Sequence, residues 1–209
     1  MYKVSISKEQ LNELPLVSFP GNIYVVDKLS MVNSAIRILR KYDIVGFDTE
    51  TRPSFKKGQR YKVSLVQLST PNECFLFRLN KIGMPAALQQ YLEDVNQLKV
   101  GLSVHDDFNS LNRLVKIAPS GFVDMQDLAR ENHISDISLQ KIYAILFGER
   151  ISKGQQLSNW EAESLSEAQQ RYAAIDAWAC INIFSYFNST KFIPEESPYY
   201  NEIIDEEIQ

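Results

Sequence analysis

The sequence predicts one α/β domain, a mixed sheet of five strands flanked by helices. Three observations carry that expectation. The chain has 209 residues with 44% hydrophobic content, enough to bury a core without disulfide staples. Three β-type runs, 43–50, 62–69 and 73–79, follow one another closely; parallel returns need longer crossovers, so these runs form an antiparallel meander. From Pro85 onward strand and helix patterns alternate, then give way to helices alone, the order of helices packed on a sheet.

The elements follow in order. Residues 7–14 read as a short helix broken by Pro15, Pro20 and Gly21, and Ile23 to Val26 as a short strand. From Ser30, the residues Met31, Ala35, Ile36 and Leu39 recur at helical spacing and lead into the first core strand. Thr70-Pro71-Asn72 turns the meander. Residues 85–94 then predict a helix, 98–104 a strand, 107–116 a helix and 121–124 a short strand. Three helices close the pattern: 125–132, 138–147 ended by Gly148, and 166–187, which opens on the capping-box sequence Ser166-Glu167-Ala168-Gln169. The polar stretch 149–164 reads as a long loop, and long loops inside compact domains are often functional. This divides the chain into an extension (1–22), a domain (23–188) and an acidic tail (189–209) that is expected to be disordered.

Composition sets further bounds. Cys74 and Cys180 are too few for a disulfide framework and lack the spacing of a zinc site, which favours a reducing, cytoplasmic setting. No run approaches membrane-spanning length and no signal segment opens the chain, so a soluble protein without membrane partners is expected. A net charge of -4 argues against a generally basic nucleic-acid-binding surface. The distribution is informative, however: Arg52, Lys56, Lys57, Arg60 and Lys62 crowd one acid-free segment, whereas the C-terminus carries Glu195, Glu196, Glu202, Asp205, Glu206 and Glu207. A basic loop beside an acidic cleft suits an approaching polyanion.

That cleft begins at Asp43-Ile44-Val45-Gly46-Phe47-Asp48-Thr49-Glu50. Side chains alternate along a strand, so Asp48 and Glu50 point the same way. Two carboxylates on one face are costly unless something positive lies between them, and a hard divalent cation is the usual occupant. A second acidic pair, Asp106-Asp107, follows the strand at 98–104; Asp107 heads the helical face carrying Leu111 and Leu114, although either Asp would also serve as a helix cap. In the last helix Tyr172 and Asp176 are four apart and share a face. Their neighbours Ala173, Ala174 and Ala177 are small enough to let that helix approach the sheet closely.

Taken together, Val45 to Glu50, Val100 to Asp107 with Leu111 behind it, and Tyr172-Ala173-Ala174-Ile175-Asp176-Ala177 resemble the three motifs of the DEDD exonucleases. The tyrosine four before the last Asp is similar to the DEDDy branch, and Ser158-Asn159-Trp160 looks like the linker of Werner-type exonuclease domains, relatives of ribonuclease D. The resemblance covers about residues 23–187. It implies a ribonuclease H-like fold and 3′-5′ exonuclease activity on DNA or RNA releasing nucleoside 5′-monophosphates. It also implies two Mg²⁺ or Mn²⁺ ions: Asp48 bridging them, Glu50 and Asp176 on the first, Asp107 on the second, with Asp106 as the alternative, and Tyr172 orienting water. The catalytic set is thus Asp48, Glu50, Asp107, Tyr172 and Asp176. For substrate binding the expected residues are Thr49, Arg52, Lys56, Lys57, Arg60 and Lys153, with Arg150 beside them, while Trp160 is expected to be a packing anchor. The competing reading is a catalytically silent nucleic-acid- or protein-binding scaffold on the same fold.

Overall fold

The computed structural model describes residues 3–54, 56 and 61–201. In chain order the elements are β1 (Lys3–Val4), α1 (Lys8–Glu13), β2 (Asn22–Val26), α2 (Leu29–Leu39), β3 (Ile44–Thr51), β4 (Val63–Ser69) and β5 (Glu73–Phe77). There follow α3 (Leu79–Ile82), α4 (Ala86–Glu93), β6 (Leu98–Gly101), α5 (Val104–Asn112), β7 (Phe122–Asp124), α6 (Met125–Glu131), α7 (Leu139–Phe147), α8 (Glu167–Ser189) and β8 (Tyr200–Asn201).

The main sheet has the order β2-β5-β4-β3-β6-β7. The meander β3-β4-β5 is antiparallel, and β6 and β7 add in parallel beside β3, as the pattern requires. The sheet holds six strands rather than five, because the short run at 22–26 lies parallel to β5. That pairing joins segments about fifty residues apart, and it is stabilised by burial: Val26 enters one core, while Ile23 and Val25 pack on the other. Nothing local encodes it.

Helices cover both faces. On one side α2, α4 and α5 pack over Val45, Phe47, Val66 and Leu68; on the other α6, α7 and α8 pack over Leu65, Leu76 and Val100. The 23-residue helix α8 starts as its sequence predicts: the Ser166 hydroxyl accepts from the Gln169 amide and the Gln169 side chain accepts from the Ser166 amide. Gly148, left-handed at φ 67, closes α7.

Close approach of α8 to the central strand depends on Gly46. A Cβ built there would overlap the carbonyl oxygen of Ala177, and the small side chains of Ala173, Ala174 and Ala177 are all fully buried at this crossing. Gly46→Ala must push the helix off the strand. We expect a loss of about 3 kcal/mol, read by calorimetry as a melting temperature lower by roughly 6–12 °C.

The first and last described segments are tied to this body. Ser7 caps α1 reciprocally with Gln10, and Val4, Ile6 and Leu11 are buried in the core beneath α8. The described part of the tail, expected to be disordered, is tied down: Tyr200 and Asn201 pair antiparallel with Val4 and Lys3, and the Ser5 amide donates to the Tyr199 carbonyl at 3.0 Å. Two-residue strands leave no periodicity to read. The loop at 149–164 holds no helix, and it is anchored by backbone bonds between Arg150 and Pro15 and Val17 and by Trp160, which is fully buried. Among the described residues no helix is long and apolar enough to cross a membrane.

Candidate active site

The strand β3 delivers Asp48 and Glu50 to the same face, the one that α8 crosses at Gly46, and α8 brings Asp176 down beside them. One carboxylate oxygen from each of Asp48, Glu50 and Asp176 lies within 4.8 Å of the others. They line a cavity of about 440 Å³ with Tyr172, Ser103, Gln126, Gln140 and Cys180, among others, and among the described residues no lysine, arginine or histidine lines it. Such a volume accommodates a small ligand.

The electrostatics follow from this crowding. Burial pushes the Asp48 carboxyl up to about 7, against a hydrogen bond from the Thr49 backbone that holds it down. Burial, then the charges of Asp48, Asp176 and Asp107, pushes Glu50 up to about 10. Asp176 and Asp107 are raised well above the usual carboxylate range, by burial first and by Asp48 second. Asp176 is 5% exposed, and its Oδ1 is buried without a hydrogen-bond partner among the described residues. Clustered acids and an orphaned buried oxygen, with no cationic side chain lining the cavity among the described residues, are the donor chemistry of a hard divalent ion.

Tyr172 sits one turn before Asp176 on α8, and the two side chains line the same cavity. Burial and the charges of Asp176 and Glu50 raise the Tyr172 phenol above its ordinary range, so it stays protonated. The ring packs against Trp160, with centroids 6.1 Å apart; Trp160 is thus the packing anchor expected of it.

Asp107 stands slightly apart. It lies in the first turn of α5, which begins at Val104 rather than at Asp107 and ends at Asn112 rather than Lys116. Its Oδ1 accepts from the hydroxyl of Thr49, on the face of β3 opposite Asp48. It shares a field with Asp48 and Glu50 without joining the three-acid cluster. Asp106 is exposed, accepts from the Ser103 hydroxyl at 3.1 Å and does not line the acidic cavity.

The early start of α5 has a cause that local sequence reading missed. Ser103 takes left-handed backbone geometry (φ 59, ψ 36), uncommon for a residue with a side chain. Asp124 holds it there: its carboxylate accepts from the Ser103 and Val104 amides, both at 3.0 Å, and from the Gln126 amide at 2.9 Å. Asp124 therefore fixes the corner that presents Asp107. The available signal was an Asp ending a β-type run directly before a helix.

The remaining sequence-predicted residues that are described lie outside the three-acid cluster. Thr49 serves Asp107. Arg52 pairs with Glu161 at 3.3 Å and lies over the Tyr61 ring. Lys56 is exposed, Lys57 and Arg60 lie outside the described residues, and Lys153 lines a different cavity, shared with Arg150.

The acids thus sit on the central strand of a mixed sheet and on the long helix that crosses it. Over residues 23–190 the sequence matches the 3′-5′ exonuclease family model, and the chain belongs to that family. It is 31% identical over 193 residues to the bifunctional 3′-5′ exonuclease/ATP-dependent helicase WRN of Mus musculus, covering 87% of this chain but 14% of that protein. A 3′-5′ exonuclease of Arabidopsis thaliana is 29% identical, with 86% of this chain and 68% of that one covered. In fold, the ribonuclease D of Trypanosoma brucei, solved in complex with RNA U12, superposes with a TM-score of 0.73 at 20% identity, covering 84% of this chain and 65% of that one.

Proposed function

We propose that this chain is a metal-dependent 3′-5′ exonuclease that hydrolyses the last phosphodiester of a DNA or RNA strand and releases a nucleoside 5′-monophosphate. The observation that carries the reading is the convergence of Asp48, Glu50 and Asp176 oxygens within 4.8 Å, in a cavity that no cationic side chain lines among the described residues. Asp48, Glu50 and Asp176, with Asp107, would hold two divalent ions, Mg²⁺ or Mn²⁺. When bound, such ions polarise the phosphoryl group, favour hydroxide near neutral pH and stabilise charge on the leaving oxygen. The protein's own groups do the rest. Tyr172 keeps its proton and donates it in a hydrogen bond, which orients the attacking water without acting as a base. Thr49 fixes Asp107, and Asp124 fixes the turn from which Asp107 projects. As the water oxygen bonds to phosphorus the bond to the 3′ oxygen breaks, leaving a new 3′-hydroxyl on the shortened strand. Arg52, Lys56, Lys57, Arg60 and Lys153 are assigned to the strand's phosphates, and the two buried, unpaired cysteines favour a cytoplasmic setting.

A gel time course on 5′-labelled single-stranded DNA and RNA of matched sequence tests this. A ladder shortening from the 3′ end with Mn²⁺ and absent with EDTA is the expected result, and the polymer cut faster names the substrate class. If neither strand nor a recessed 3′ end is cut, the proposal fails. Tyr172→Phe should lower kcat by about 10²-fold with little change in KM, the usual cost of one transition-state hydrogen-bond donor. Because the wild-type phenol does not ionise, the alkaline limb of the pH-rate profile should be the same in both proteins. A limb that moves in the variant would show that Tyr172 acts as a base.

A further inference from the structure

A second cavity, of about 300 Å³, is lined by Lys8, Leu11, Asn12, Lys141, Arg150, Ile151 and Lys153. Four of its seven residues are cationic and none is acidic. Lys8 comes from α1, Lys141 from α7, and Arg150 and Lys153 from the loop that follows α7, so segments distant in sequence converge on one basic hollow. Two of the four charges are partly committed: Lys141 pairs with Asp136 at 2.7 Å, and the Nε of Arg150 donates to the Leu14 carbonyl at 2.9 Å. Lys8 and Lys153 are exposed and make no ion pair among the described residues.

The position of this hollow matters as much as its charge. Ser138, Leu139 and Gln140, at the start of α7, line the acidic cavity, and the next residue, Lys141, lines the basic one. The loop does the same, with Gln156 in the acidic cavity and Ile151 and Lys153 in the basic one. Residues adjacent along α7, and along the loop after it, thus line the two cavities in turn. A strand whose last phosphodiester lies among the acids must carry its remaining phosphates somewhere with positive charge. The basic hollow next to the acidic cavity along α7 offers that charge.

We infer that the Lys8–Lys141–Arg150–Lys153 hollow binds backbone phosphates of the strand upstream of its 3′ end, making α1 part of the substrate track. The inference rests on the exonuclease reading above. Chemically it asks only for phosphodiester charges, with no base readout, so binding should be independent of sequence and strongly salt-dependent.

The test uses Lys8→Ala/Lys153→Ala, two exposed positions, in an Asp48→Asn background so that binding is measured without turnover. Fluorescence anisotropy on a labelled single-stranded 20-mer should show about tenfold weaker binding. The plot of log K against log salt should flatten by about 1.4, as expected for two lost phosphate contacts at about 0.7 each on a single strand. In the parent background, hydrolysis of a dinucleotide, which carries no phosphodiester upstream of the scissile one, should be unchanged by Lys8→Ala alone. An unchanged salt slope overturns the inference, and so does an equal loss on the dinucleotide, which would place Lys8 at the scissile bond. Loss of mononucleotide binding with an unaltered 20-mer slope would assign the hollow to a free anion. Deletion of residues 202–209 that strengthens strand binding only while the lysines are present, with no flattening in the double variant, would assign it to the chain's own acidic tail. Because binding is read without turnover, failure here is distinct from failure of the exonuclease reading, which the gel alone decides.

Discussion

Asp48→Asn is expected to abolish strand shortening while making the metal-free protein more stable. The two effects have one origin. Asp48 is the acid that all the others feel: it raises Glu50, Asp107 and Asp176 through its charge, and burial holds its own carboxyl near 7. At pH 8 most Asp48 is ionised, and without a cation that charge is unpaired. An amide of the same shape removes the repulsion, so the EDTA-treated variant should melt above the EDTA-treated wild type. It also removes an anionic ligand. Changes in the groups surrounding a metal ligand already cost 10–100-fold in affinity or activity, so loss of the ligand itself should cost at least about 10³-fold in kcat/KM. Calorimetry and the gel assay run on the same preparations decide both halves. A variant that is less stable than wild type in EDTA would mean that Asp48 has a partner within the protein, and the cation-site reading would lose its physical basis.

How much of this was legible depends on the range of the interaction. Asp48 and Glu50 share a face because a strand alternates, and Tyr172 and Asp176 share one because a helix repeats after four. Both rules act within a few residues and both hold. The small side chains around Asp176 were legible as permission for close packing, although only the structure pairs Ala177 with Gly46. The failures lie where distant segments decide the outcome. β2 finds β5 across the fold, β1 and β8 are two residues each and exist only as a pair, and α5 starts early because Asp124, some twenty residues later, accepts from its first amides. Charge clustering along the chain placed Arg52 and Lys56 next to the acids in sequence; in the structure Arg52 pairs with Glu161 and Lys56 is exposed. The cationic hollow needs α1, whose packing no local pattern announced.

Stability without metal should fall as pH rises, and a divalent cation should reverse the trend. The sign follows from the direction of the shifts. Asp48 rises from an ordinary value near 3.8 to about 7 and Glu50 from 4.5 to about 10, so between those limits the folded protein holds protons that the unfolded chain has released. Where the folded state binds more protons, unfolding free energy decreases with increasing pH. The decline should therefore begin near pH 4; the part due to Asp48 should level off just above 7, while the part due to Glu50 persists toward 10. Below pH 4 both states are protonated and these groups contribute no slope. A bound divalent ion favours the ionised carboxylates, so its affinity rises with pH and its binding releases protons. At about a hundred times its dissociation constant the ion should add about 2.7 kcal/mol, a rise of roughly 5–10 °C in melting temperature for a chain of this size. Melting curves at pH 5 and pH 8, with Mn²⁺ and with EDTA, check this directly. The gain from Mn²⁺ should be small at pH 5 and large at pH 8, and it should shrink in Asp48→Asn. A gain that is equal at both values would mean that the ion binds away from the raised carboxylates, and the assignment of Asp48, Glu50 and Asp176 as its ligands would not survive.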